Sequence, residues 1–152
     1  MKSTGIIRRI DDLGRVAIPK EIRRTLRILE GDPLELFLDS GGVVFKKYSP
    51  VAMNSDWLRP VFEAIKTDVI DFFIADTDEV LFSSGGKNGS RVPDEWNDNR
   101  SAFSYEQAYV VPIVSSGELL GFVGSWGGCN EFTKLRIDTA EKIAAKIMDW
   151  GV

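Results

Sequence analysis

The stretch STGIIRRIDDLGRVAIPKEIRRTLRI, residues 3–28, is the part of this chain that indicates its fold and its chemistry most directly. Eight of the first 27 residues are lysine or arginine, and seven of those eight lie in this stretch. The chain of 152 residues nevertheless carries a net charge of -4. A concentrated basic block in an acidic protein is typical of a surface that binds a polyanion.

The first fifty residues alternate between extended segments and turn signals. Gly14 suits a turn that needs a positive φ, Pro19 suits the first position of a helix, and Gly31-Asp32-Pro33 suits the end of that helix. Leu34, which begins an alternating apolar and polar run, marks a half-buried strand. The predicted order is strand 5–10, turn 11–14, strand 15–18, a short helix from 19, strand 34–39, hairpin turn 40–42 and strand 43–48.

This first part has few apolar side chains for an independent domain. A chain of about fifty residues buries too little surface to be stable alone. Pairing with a second copy would supply the missing core, and interleaved strands are one way to share it. The sequence therefore predicts an obligate homodimer.

A change of composition near Tyr48-Ser49-Pro50 divides the chain into predicted domains 1–50 and 51–152. The first holds ten lysines and arginines against seven acidic residues, a net charge of +3. The second holds nine against sixteen, a net charge of -7, and contains all four tryptophans. Pro50 suits a short, stiff linker between them.

The second domain is predicted to be α+β, with an antiparallel sheet and a terminal helix. A helix runs from Ser55 toward Lys66, and Pro60 either kinks it or begins it. Pro112 indicates a sheet edge or a bulge. Strands are predicted at 69–75, 79–83, 105–114 and 119–126, an irregular loop at 85–100, and a last helix with apolar positions 140, 143, 144, 147 and 148.

Two segments of the first domain strongly resemble the AbrB-type transition-state regulators. They are residues 3–28, quoted above, and GDPLELFLDSGGVVFKKY at 31–48. The resemblance implies a mostly β swapped-hairpin barrel built by two intertwined chains, which binds double-stranded DNA. By position in the motif, it implies that the family's DNA-binding arginines correspond to Arg8, Arg15, Arg23 and Arg24.

The order of elements in the second domain resembles a GAF or PAS-like sensor. The stretch between its second and third predicted strands is short, and in such modules that stretch covers the ligand pocket. Phe82, Trp96, Tyr109 and Trp126 are candidate pocket residues, although core or interface roles are favoured for all four. Whether any small-molecule effector binds is left open. The terminal helix and the helix near Trp57 offer apolar faces that would join two dimers into a tetramer.

The chemistry of the basic side chains agrees with DNA as the partner. Guanidinium groups stay charged, bond phosphate with two parallel donors and read guanine edges in the major groove. Arg9 and Lys20 belong to the same block and are added to the predicted site. The alternative is that arginines at turns and helix ends are only solvated.

Other charged pairs have simpler interpretations. Asp11 and Asp12 are interpreted as turn formers rather than a metal or acid pair. Lys46 and Lys47 are interpreted as protection of a strand edge rather than a second DNA patch.

Several classes of protein are disfavoured by what the sequence lacks. It contains no histidine, which removes histidine-based triads and Cys/His zinc sites, and no nucleotide or nucleophile motif. Cys129 is the single cysteine and cannot form an internal disulfide. With no apolar run of membrane-spanning length and no secretory signal, we expect a cytoplasmic, nucleoid-associated protein with no cofactor, no metal and no membrane partner.

Three functional classes are weighed. The leading one is a DNA-binding transcription regulator, whose affinity for DNA should fall as the salt concentration rises. The second is an antitoxin-like operon autoregulator, which would carry a disordered tail where this chain has tryptophans and hairpins. The third is an enzyme on the second domain, which the lack of a catalytic constellation disfavours.

Overall fold

A computed structural model describes residues 2–150 and divides the chain into two compact units. The first unit ends at Tyr48 and the second begins at Ser49. The boundary expected after Pro50 lies two residues away, because Ser49 and Pro50 already belong to a helix start: the Ser49 hydroxyl accepts a hydrogen bond from the N–H of Ala52 at 3.1 Å. Of the second predicted domain, the last two residues lie outside the described part.

The first unit contains one short helix and one hairpin. Helix α1 spans Lys20–Thr25, and strands β1 (Leu34–Asp39) and β2 (Gly42–Lys47) pair antiparallel. Ser40 and Gly41 join them with φ values of 47° and 82°. Two consecutive positive φ angles give the tight turn whose twist matches that of the strands. The predicted hairpin is therefore confirmed, and so is the existence of the helix. Its predicted end at Gly31-Asp32-Pro33 is wrong: the helix ends at Thr25, because the chain leaves the helical conformation at Arg27, where φ is 54°.

The strands predicted at Gly5–Ile10 and Arg15–Ile18 are wrong for the single chain. The described residues form no strand there, and only the turn between them is present. A strand requires a neighbour to receive its backbone hydrogen bonds, and the chain by itself supplies none at these positions.

The second unit is a five-stranded antiparallel sheet with helices packed on it. Helix α2 spans Pro50–Met53, α3 Ser55–Ile65 and α4 Glu131–Trp150. The strands are β3 (Asp71–Asp76), β4 (Val80–Ser83), β5 (Phe103–Tyr105), β6 (Ala108–Ser115) and β7 (Glu118–Trp126). They lie side by side in the order β4-β3-β7-β6-β5.

Two local predictions for this unit need correction. The strand expected at 105–114 is two strands, because the chain turns at Glu106, where φ is 52°, and pairs Phe103 with Val110. The loop expected at 85–100 contains a short 3-10 helix, Asp94–Asp98, that buries Trp96. The predicted helix from Ser55 toward Lys66 is confirmed as α3, and Pro60 lies inside it rather than at its start.

Pro112 occupies a position where its missing N–H is tolerated. Strand β5 pairs with β6 only from Ala108 to Val110, so Pro112 has β7 on one side and no strand on the other. A register irregularity between Ile113 and Val114 follows directly. The predicted edge and bulge are both present.

The sheet carries a hydrophobic core on each face. One core packs α3 and α4 against the sheet through Leu58, Phe62, Ile74, Val123 and Ile137. The other contains Phe73, Trp96, Val110 and Phe122. The four candidate pocket aromatics divide between these faces: Phe82 and Tyr109 belong to the first, Trp96 and Trp126 to the second. They therefore do not line one pocket.

Candidate nucleic-acid interface

The turn at 11–14 is organised by the carboxylate of Asp11. Its Oδ1 accepts hydrogen bonds from the N–H groups of Leu13 at 2.9 Å and Arg15 at 2.8 Å. The Asp11 carbonyl accepts from the N–H of Gly14 at 3.1 Å, and Gly14 has a φ of 76°. The Asp11 side chain thus accepts hydrogen bonds from backbone N–H groups that a neighbouring strand would otherwise satisfy. The turn is therefore stable within the single chain.

The same carboxylate holds the guanidinium of Arg15. Arg15 Nε donates to Asp11 Oδ2 at 2.8 Å, while 72% of the Arg15 side chain is exposed. This bond uses Nε only, so the two terminal nitrogens of Arg15 keep their donors for another acceptor. Sequence reasoning recognised Asp11 as a turn former but missed this positioning role; the only signal was the spacing of four residues around a glycine turn.

The pKa of the Asp11 carboxyl lies below its ordinary value of 3.8. The largest cause is the backbone hydrogen bond from Arg15, followed by the Arg15 side chain, with the Leu13 N–H also contributing. Donors aimed at a carboxylate favour its charged form.

We expect the turn to be pH-dependent in a narrow acidic range. A lowered pKa means that the stabilisation is complete above about 3.8, the ordinary value, and is lost as the pH falls through the folded-state pKa. An NMR titration of the Leu13 and Arg15 amide signals would follow this loss. Asp11→Asn should shift the Arg15 side-chain signals, whereas Asp12→Asn should not. Equal shifts for the two variants would contradict the assignment.

Arg23 and Arg24 lie together in the last turn of α1, and both are exposed. The helix begins after Pro19, whose carbonyl accepts from the N–H of Arg23 at 3.0 Å, and Lys20 is its exposed first residue. Ile22 is half-buried, so the side of the helix that carries Ile22 faces the rest of the unit. The helix thus presents two adjacent guanidinium groups to solvent.

Arg8 and Arg9 are exposed and lie in the extended segment before the turn. The Arg8 guanidinium donates to the neighbouring carbonyl of Ile7 at 3.4 Å. The structure brings Arg15 to Asp11 and Arg23 to Arg24, but it places Arg8 and Arg9 in no helix or strand.

The two lysines at the end of β2 differ from each other. Lys47 Nζ donates to the carbonyl of Arg27 at 3.3 Å and lies 3.8 Å from Asp32 Oδ2. Lys46 Nζ lies 5.3 Å from the centre of the Phe37 ring. Lys47 therefore ties the end of the helix segment to the hairpin, a role that sequence reasoning did not assign.

The described residues offer neither a metal-binding cluster nor a helix that could cross a membrane. Within residues 2–150, no group of acidic residues and cysteine is arranged to hold a metal ion. No helix in the same range combines the length and apolar character that a membrane crossing requires.

Comparisons with known proteins match the amino-terminal unit to one family and extend into the second unit. The family described as "Antidote-toxin recognition MazE, bacterial antitoxin" matches residues 7–52. Stage V sporulation protein T of Bacillus subtilis (strain 168) is 44% identical over 124 residues, which cover 76% of this chain and 70% of that protein. The transition state regulatory protein AbrB of the same organism is 58% identical over 50 residues, 33% of this chain and 52% of AbrB.

Among solved structures, the match includes the solution structure of the N-domain of the transcription factor abrB, which is 58% identical. The match covers 33% of this chain and 96% of the abrB chain, with a TM-score of 0.31. The sequence relatives define the class: it carries an AbrB-type domain at the amino end, where the exposed arginines lie. The resemblance predicted from residues 3–48 is confirmed. Because the match to one relative extends through most of both chains, this chain belongs to the AbrB-type family that includes stage V sporulation protein T.

Proposed function

We propose that this protein is a DNA-binding transcription regulator of the AbrB and stage V sporulation protein T type, which binds duplex DNA through its amino-terminal basic residues. The observation that carries the proposal is the exposure of every basic side chain assigned to the site in a chain whose net charge is -4. These residues are Arg8, Arg9, Arg15, Lys20, Arg23 and Arg24. The names of the relatives support regulation of sporulation or transition-state genes.

Binding should depend steeply on salt. A second copy would double the arginines Arg8, Arg15, Arg23 and Arg24, so that about eight phosphate contacts per dimer give a slope of log K against log salt of roughly -7. Titration of the full chain with a fluorescent duplex at several salt concentrations measures this slope. A slope near zero would contradict an arginine-mediated interface, and a lower slope would mean fewer phosphate contacts.

The functional form of the first unit is a homodimer, and an apolar face of the hairpin supports this. The cross-strand pairs Leu36–Phe45 and Leu38–Val43 lie on one face of the hairpin. Leu36 is 61% exposed and Phe45 46%, while Leu38 is 86% exposed and Val43 56%. No residue of the described range 2–48 is buried. A second copy with interleaved strands would cover this face and also pair the segments around the 11–14 turn.

The second unit is proposed to be a GAF-like sensor or oligomerisation module. In support, α4 carries an exposed apolar stripe in addition to its buried one. The stripe consists of Phe132 (63% exposed), Leu135 (63%), Ile143 (44%) and Trp150 (82%). Trp57 on α3 is 72% exposed. Such a stripe on a folded unit is typical of helix pairing between copies, which would join dimers into a tetramer.

Leu135→Asp should convert a tetramer into a dimer, because the new charge would have to be desolvated at the interface. Sedimentation of the full chain measures the change. Ser101→Asp, at an exposed polar position of a loop, is the matched control and should leave the mass unchanged. If the wild-type chain sediments as a dimer that Leu135→Asp does not alter, this stripe is not an assembly surface.

An antitoxin-like autoregulator is the second candidate, and the family match over residues 7–52 favours it. An antitoxin normally wraps its toxin with a disordered tail. Here the residues after 49 form a sheet with two cores and a 20-residue helix. Limited proteolysis discriminates: a resistant carboxyl-terminal fragment supports the regulator, and rapid digestion of that half supports the antitoxin. The regulator is proposed to act in the cytoplasm without a metal or cofactor and without enzymatic activity.

A further inference from the structure

A cavity of about 490 Å³ lies on the face of the sheet opposite α4. Trp96, Tyr105 and Trp126 line it together with Lys87 and Glu106. All of these residues belong to the second unit, so the cavity is independent of the basic block.

The aromatic walls are held by further rings behind them. Phe73 stacks on Trp96 with ring centres 5.5 Å apart and lies 4.1 Å from the centre of Trp126. Tyr105 meets Trp96 edge-on at 6.0 Å. Rings packed in this way present fixed π faces, so little ordering would be needed when a ligand enters.

A cation already occupies one of these faces. Lys87 Nζ lies 4.0 Å from the centre of the Trp126 ring, and no carboxylate among residues 2–150 lies within ion-pair distance of it. Lys87 belongs to a loop in which Gly86 and Gly89 have φ values of 77° and 79°. An ammonium group over an indole is favourable, and Lys87 therefore shows what chemistry this wall accepts.

The mouth of the cavity favours positive charge as well. Glu106 lines it, and the charge of Glu95 is the largest cause of a raised pKa at Tyr105, followed by burial and the charge of Glu106. Glu106 in the lining balances the charge of Lys87, and Glu95 adds a further negative charge near Tyr105, so a cationic ligand is favoured over an anionic one.

Trp96 is the most deeply buried part of this wall. It is 2% exposed, and its Nε1 is buried as well and donates to no acceptor among the described residues. The indole is therefore a fixed part of the unit and contributes ring surface to the cavity.

We propose that this cavity binds a small organic ammonium compound. The ammonium group takes the place of Lys87 over Trp126. Lys87 is then the internal occupant that a ligand displaces. The inference deepens the proposed sensor role of the second unit, and it does not require the DNA interface.

Choline is the probe, because it carries a quaternary ammonium group and has a neutral analogue of the same shape. Binding to the full chain is followed by tryptophan fluorescence, with the neutral analogue in which carbon replaces the choline nitrogen as the matched ligand. We expect saturable binding of choline and at least about tenfold weaker binding of the neutral analogue, as expected for a desolvated cation over indole. Equal affinities for the two ligands would overturn the proposal.

The internal occupant is tested with Lys87→Gln. Removing the competing ammonium should strengthen choline binding about threefold or more. Lys142→Gln, which removes the same charge from the exposed surface of α4, is the matched control and should leave the affinity unchanged. Unchanged choline affinity in Lys87→Gln, or an equal gain in the control, would overturn the proposal.

Glu106→Gln should weaken choline binding, while leaving the neutral analogue unaffected. Because these readouts use fluorescence without DNA, their failure leaves the DNA-binding proposal standing. If the wild-type chain binds choline but does not bind duplex DNA, only the proposal that it is a DNA-binding regulator is rejected.

Discussion

Leu38→Asp is expected to abolish self-association of the first unit and, with it, high-affinity DNA binding. Leu38 is 86% exposed in the single chain and is paired across the hairpin with Val43. In the proposed dimer this face is the core. Placing one carboxylate there in each copy leaves two unpaired buried charges, which costs several kcal/mol, roughly the stability of a small domain.

The measurement is the mass of the full chain by sedimentation, combined with its affinity for a duplex. Ser40→Asp is the matched control, since it adds the same charge at the exposed hairpin turn, where the positive φ is tolerated by aspartate. This control should retain both the wild-type mass and binding. A Leu38→Asp protein that keeps the wild-type mass and binds DNA normally would reject the swapped-hairpin arrangement.

Arg15→Ala and Arg23→Ala are each expected to weaken DNA binding by about 1–3 kcal/mol, which is roughly fivefold to 150-fold. Each removes a charged, exposed group of the kind that can bond phosphate or a guanine edge with two donors. Arg15 should respond more strongly than Arg23, because Asp11 holds its guanidinium at 2.8 Å and less side-chain freedom is lost on binding.

Arg91→Ala provides the control, because it removes the same charge from an exposed position of the second unit. The full chain of each variant would be titrated with the duplex at low salt, where electrostatic contacts are strongest. Thermal unfolding of each variant separates loss of binding from loss of folding. If Arg15→Ala and Arg23→Ala bind as tightly as Arg91→Ala, these residues are not in the interface.

The extended segments beside the 11–14 turn mark the limit of local patterns. Residues 5–10 and 15–18 have the β-branched character of strands, yet the single chain forms none there. Strand formation requires a partner for every second N–H and C=O group. The pattern therefore describes a tendency, and the partner decides whether it is realised.

Elements that depend on interactions between residues close in the chain could be predicted from local patterns. The hairpin of β1 and β2, helix α1 after Pro19 and the 11–14 turn follow from alternation, a glycine turn and capping chemistry among near neighbours. The basic block and the family followed from composition and motif in the same way. The tertiary structure alone decided which side chains meet across the chain. It separated Trp96 and Trp126 from Phe82 and Tyr109 and placed Lys87 over an indole ring. Those contacts depend on how distant strands pair and where a loop returns, which the free energy of packing the whole unit determines.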